Sequence, residues 1–128
     1  MSQQLLSNNQ SVTTMQIIYD EEGDIWDVFF KDDSENTAHA GYELREGIVL
    51  FVTTNMSPVQ LTIVNFHRST QLPVIHFDLL KKQPPQIQGN LLQLLAAPPL
   101  SSFLRVDATT FYGHVMSPAI LDVYAKAA

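Results

Sequence analysis

Between Met15 and Phe66 the apolar residues recur with a period of two, and short polar turns interrupt the alternation. That is the period of an extended chain, whose successive side chains point to opposite faces. Met15, Ile17 and Tyr19 take one side of a first strand. Asp20-Glu21-Glu22-Gly23-Asp24 supplies turn chemistry, with Gly23 offering a positive-φ position, and Ile25 to Phe30 returns as the second strand. There Trp26, Val28 and Phe30 share one face, and Ile25, Asp27 and Phe29 the other. A second polar turn, Lys31 to Asn36, leads into 37–44, where Ala38, Ala40, Tyr42 and Leu44 share a face. His39 and Gly41 mark this segment as an edge strand. Ile48 to Val52 is apolar on both faces, the pattern of a central strand covered on both sides. Asn55-Met56-Ser57-Pro58 turns the chain, and Val59, Leu61 and Ile63 line the inner face of a fifth strand ending near Phe66.

The second half follows another pattern. Pro84-Pro85 and Pro98-Pro99 bracket Gln86 to Ala97, and proline is tolerated at a helix start and just beyond its end. Ile87, Leu91, Leu94 and Leu95 fall at helical spacing and form one stripe for burial. Leu72 to Lys82 fits both periods, since Val74, His76, Asp78 and Leu80 alternate with Ile75, Phe77 and Leu79, while Ile75 and Leu79 stack at i, i+4. It reads as a short helix from about His76. Leu104 to Met116 is strand-like, and Ser117-Pro118 opens a final helix, Ala119 to about Ala127. Residues 1–13 read as a mobile tail. The expectation is one α+β domain over 1–128. An N-terminal antiparallel β-meander of about five strands spans 15–67, and a helical or mixed extension, 68–128, packs its helices on the same core.

Length and composition agree with a globular domain: 128 residues, 45% apolar and 16% charged. With no cysteine, the chain has no thiolate catalysis, disulfide or thiolate zinc site. Charge is unevenly spread. Ten acidic residues between Asp20 and Glu46 face only Lys31 and Arg45, a local −8 that leaves the remainder at +2. Nucleic-acid binders carry the opposite sign in a patch, and Lys81-Lys82 is the only adjacent basic pair, so no nucleic-acid partner is expected. The first ten residues lack a basic n-region, and nowhere do about 18 apolar residues run together. The expectation is a cytoplasmic protein without membrane association.

Candidate chemistry is sparse. Asp20, Glu22 and Asp24 alternate as in a calcium loop, but the glycine precedes the last carboxylate and the twelfth residue is Lys31, so the carboxylates read as caps for turn amides. His39, His67, His76 and His114 show no metal spacing such as H-E-x-x-H; His76-Phe77-Asp78 with His67 or His114 is the set that folding could bring together. Asp107 and His114 are a conceivable base and orienter. No G-x-S-x-G, P-loop or G-x-G-x-x-G occurs, and Ser101, Ser102 and Ser117 read as helix caps. No residue is therefore assigned a catalytic, cofactor-binding or metal-binding role. Phe29 and Phe51, off the inner face, are candidates for a partner-binding surface.

The segment Tyr19-Asp20-Glu21-Glu22-Gly23-Asp24-Ile25-Trp26-Asp27-Val28-Phe29-Phe30 resembles the opening hairpin of a small bacterial family of uncharacterised domains. That family carries Y-D-x-x-x-D-x-(large apolar)-x-(β-branched)-x-(apolar). The resemblance continues through Gly47-Ile48-Val49-Leu50 and Val59-x-Leu61-x-Ile63-x-Asn65, and so covers about residues 15–67. Asp27 stands where the family has an aromatic, and Thr53 to Pro58 replaces an acidic, glycine-containing turn. The resemblance implies a compact β-sheet that often pairs with a copy of itself, and no catalytic residues. Together these features predict a non-enzymatic interaction or scaffold domain, self-associating as a homodimer and open to a further protein partner, with no cofactor. The alternative is a small enzyme or metal-binding domain using some of His39, His67, His76, His114 and Asp78.

Overall fold

A computed structural model of the chain describes residues 15–30 and 38–116. The expected tail 1–13, the turn at 31–36 and the final helix at 119–127 lie outside them. The period-two segments form five antiparallel strands: β1 (Gln16–Asp20), β2 (Ile25–Phe29), β3 (Ala40–Arg45), β4 (Ile48–Val52) and β5 (Pro58–Val64). The rest comprises α1 (Phe66–Thr70), β6 (Ile75–His76), α2 (Asp78–Lys81), α3 (Pro85–Leu95), a 3₁₀ turn (Leu100–Ser102), β7 (Leu104–Val106) and β8 (Tyr112–Val115). The fold class is α+β, as expected.

Strand order corrects the meander. The sheet runs β1-β2-β5-β4-β3, so β5 lies between β2 and β4. β1–β2 and β3–β4–β5 are consecutive hairpin units, but the last strand returns to pair with β2, a Greek-key order. Placing β5 in the middle surrounds Leu61 and Ile63, both fully buried, with Trp26 and Val28 on one side and Ile48 and Leu50 on the other. A strand covered on one face only, such as β4, is a second correction. Ile48, Leu50 and Val52 are buried, whereas Val49 and Phe51 face outward and are half-buried. β3 is an edge strand, as expected.

The sequence-based expectations shift at four further points. In the first hairpin the left-handed residue is Asp24, at φ 56°, rather than Gly23. Asp24 suits that site because a short carboxylate can bond locally and compensate the unfavourable backbone. α1 was not anticipated, and it begins after Asn65, itself left-handed at φ 61°. The short helix expected from His76 starts at Asp78, because Ile75 and His76 pair with Gly113 and Tyr112 of β8. Ser101 and Ser102 do not cap a helix; they belong to the 3₁₀ turn, which no side chain caps.

The strand-like residues after Leu104 resolve into a hairpin, and β6 joins it in a three-stranded sheet of order β6-β8-β7. α3 meets expectation closely. Pro85 occupies its first turn, Leu91 and Leu95 are buried, and Ile87 and Leu94 pack against the core. The inner face of the five-stranded sheet meets the later elements through aromatic rings. Trp26 stacks on Phe66 with centroids 5.1 Å apart and tilts against Phe103, also at 5.1 Å, while Phe30 lies 6.1 Å from Phe103. Such pairs add to the burial of their large apolar surfaces. Buried hydrophobic residues from both halves of the chain form one contiguous cluster.

Candidate functional site

The acidic first turn is tied to α1. Tyr19 Oη donates to Asp24 Oδ1 at 2.7 Å, and the His67 backbone N–H donates to the same oxygen at 2.8 Å. The Asp24 carbonyl accepts from Phe66 N at 3.0 Å. Asp24 thus caps, from a distant hairpin, the open N–H groups that begin a helix. Burial pushes its carboxyl up, but hydrogen bonds from His67 N–H, the Tyr19 hydroxyl and Arg68 N–H outweigh that and hold it below the usual value. Burial and the bond to Asp24 push the Tyr19 phenol up to about 12. Asp20 Oδ1 accepts from Glu22 N at 3.1 Å, so Asp20 caps a turn amide as turn chemistry predicts, whereas the Asp24 carboxylate, expected to do the same, serves the amides of α1 instead.

These shifts set a pH dependence. A lowered aspartate stabilises the fold above the unfolded value of about 4 and stops doing so as pH falls through the folded one. A raised phenol stabilises fully below about 10, and that contribution is lost as pH rises towards 12. Tyr19→Phe should therefore flatten part of the alkaline fall in melting temperature between about pH 10 and 12. Identical alkaline limbs for the two proteins would contradict this assignment.

The histidines are distributed over several elements. His39 extends β3 by donating its N–H to the Val52 carbonyl at 2.7 Å. His67 lies on α1, with its Nε2 3.2 Å from Gln71 Nε2. His76 stacks on Tyr112 with centroids 4.4 Å apart and planes within 15°, and its backbone carbonyl accepts from Arg45 Nη1 at 3.5 Å. His114 sits opposite Arg105 in the β7–β8 pair. Asp107 bonds to Thr109 N at 2.7 Å and Thr110 N at 3.0 Å; these amides, Thr110 first, lower its pKa and make it a turn cap. Among the described residues no three histidine, aspartate or glutamate side chains are grouped so as to hold a metal ion. No helix among them is long and apolar enough to cross a membrane.

An open cleft of about 450 Å³ lies between the β4–β5 turn and α3. Asn55, Met56, Asn90, Gln93, Leu94 and Ala97 line it. These side chains offer amide hydrogen bonds and apolar contact but no acid, base or nucleophile.

The sheet itself offers two more distinctive surfaces. The first is the edge of β1. Ile18 is 47% exposed and Met15 44%, and the strand reads Gln-Ile-Ile-Tyr-Asp without lysine, proline or bulge. The second is the outer face. Ile18, Ile25, Phe29, Val49, Phe51 and Val64 share it, all half-buried or exposed. Phe29 and Phe51 lie there as the alternation predicts. Asp27, Gln60 and Thr62 meet at its centre, a cluster invisible until β5 pairs with β2. No family model, curated protein or solved structure matches the chain.

Proposed function

We propose that this chain is a non-enzymatic interaction domain that self-associates by pairing the β1 strands of two copies. The observation that carries this reading is the β1 edge, which pairs with no further strand among the described residues. Edge strands present unpaired N–H and C=O groups, and proteins that stay monomeric blunt them with lysine, proline, bulges or covering segments. β1 carries none of the first three. An antiparallel two-fold centred on Ile18 sets the two Ile18 side chains together and pairs Ile17 of each copy with Tyr19 of the other. The two sheets then continue as one. Such an interface is isologous and closes at a dimer. The resemblance of the opening hairpin to a self-pairing family supports the same reading, and the cysteine-free sequence suits a cytoplasmic location.

The expected result is a dimer mass by light scattering coupled to size exclusion at micromolar concentration. Ile18→Lys places two like charges side by side across the pairing and should return a monomer with the melting temperature of a folded protein. A wild-type monomer at several hundred micromolar would end the proposal.

A further inference from the structure

The outer face of the five-stranded sheet has a polar centre in an apolar surround, and the hydrogen bonds of that centre restrict what it can bind. β2, β5 and β4 set Phe29, Gln60 and Phe51 in one row and Asp27, Thr62 and Val49 in the next. Gln60 Nε2 donates to Asp27 Oδ1 at 3.3 Å and to Thr62 Oγ1 at 3.0 Å, and the Thr62 hydroxyl donates to Asp27 Oδ1. A carboxylate only accepts, so the amide must turn its NH2 towards it. The hydroxyl hydrogen and one amide hydrogen, shared between the two acceptors, are directed into the trio. What remains for a ligand is the negative charge and free oxygen of Asp27 and the Gln60 Oε1 acceptor, beside one amide hydrogen.

The group complementary to that carboxylate is a positively charged donor, which among side chains means a lysine ammonium or an arginine guanidinium. The flanks suit such a group. Phe29 and Phe51 stand on either side of Gln60, two strand spacings or roughly 10 Å apart. The Phe51 ring is laid over Gly41, where an added Cβ would come within 2.9 Å of Cε1, so the ring leans away from Gln60. A long aliphatic stem can lie in this slot with its charged head over the acceptors and against ring faces.

We propose that this face docks a protein partner through a lysine or arginine seated between Phe29 and Phe51 and paired with Asp27. The apolar surround points to a polypeptide rather than a free amine, because Ile18, Ile25, Val49 and Val64 extend beyond the reach of one cationic group. A second copy laid face to face fits poorly. A two-fold along β5 presses Asp27 on Val49, and one across the strands brings the two Asp27 carboxylates together; either leaves a buried charge unpaired. This face shares Ile18 with the β1 edge, but Asp27, Phe29 and Phe51 lie on the inner strands β2 and β4, so Asp27→Asn tests docking apart from β1 pairing.

The test is photocrosslinking of the full chain, with a photoreactive benzoylphenylalanine in place of Phe29, in an extract of its source cells. Crosslinked peptides are then sequenced by mass spectrometry. The expected result is a foreign segment with lysine or arginine beside the crosslink, captured at least tenfold less by Asp27→Asn. That change is isosteric and replaces a charged acceptor with a donor. Val49→Lys, which supplies a cation from within, should suppress capture as well, whereas Glu46→Gln on the β3–β4 turn should not. Melting temperatures establish that each variant is folded. Capture of this chain itself, capture of segments without a cation, equal capture by Asp27→Asn, or no specific capture would each overturn the proposal.

Discussion

Gly113→Ala is expected to abolish the folded state at ordinary temperatures, although it adds only one methyl group. Gly113 sits in β8 opposite Val106 of β7 and Ile75 of β6, and it is buried. A Cβ there would overlap the Arg105 carbonyl oxygen and lie 2.8 Å from that carbonyl carbon and 3.0 Å from the Val106 Cα. All three atoms are backbone, so no rotamer change makes room. The β7–β8 pair would have to part. Leu104 and Val115 are buried in that hairpin, and Phe111 just before β8 is buried at a left-handed φ of 65°. An aromatic side chain holds that conformation only when its surroundings fix it, so opening the hairpin releases it too. The loss should reach about 4 kcal/mol or more, the range reserved for a named structural failure. Gly89→Ala is the control, because its added methyl meets nothing within 4 Å on an exposed position of α3. It should raise stability by up to about 1 kcal/mol through helix propensity. Thermal unfolding of both variants by circular dichroism checks the pair. A Gly113→Ala protein within about 1 kcal/mol of wild type would refute the argument.

That glycine also marks where the sequence stops being informative. Alternation assigned faces correctly because it depends on side chains two residues apart. Trp26, Val28 and Phe30 are buried, while Phe29 and Phe51 lie on the other side. The α3 stripe was legible for the same reason, with two proline pairs to punctuate it. Neither pattern names a strand's neighbour. β2 pairs with β5 across a long stretch of chain, Ile25 with Val64, and nothing local distinguishes that from a simple meander. The hydrogen-bonded cluster of Asp27, Gln60 and Thr62 depends on this register and was hidden with it. α1 was missed because its cap comes from Asp24 in the first hairpin, and β6 because two residues are too few to show a period. Gly113 looked like any glycine in a strand until β7 and β8 were set side by side.

Leu91→Ala tests whether the five-stranded sheet and the elements after it melt together. Leu91 is fully buried on α3. An isolated helix of 11 residues is marginal in water, so α3 holds its shape through the surface it packs on. It packs on β7, α2 and the 3₁₀ turn, and α2 in turn lies along β3. Phe103, which follows that turn, meets Trp26 on the sheet. The mutation leaves a cavity at the far end of this chain of contacts, with an expected cost of roughly 2–5 kcal/mol, the range for a buried leucine that loses its packing. If the contacts couple the two parts, Trp26 fluorescence and far-ultraviolet circular dichroism should report one coincident transition, lowered equally by both probes. Trp26 is 1% exposed and is the protein's only tryptophan, so its emission follows the sheet core. Early loss of helical signal with the Trp26 transition unmoved would mean that the sheet folds without α3, and that the contiguous core comprises two separately stable parts.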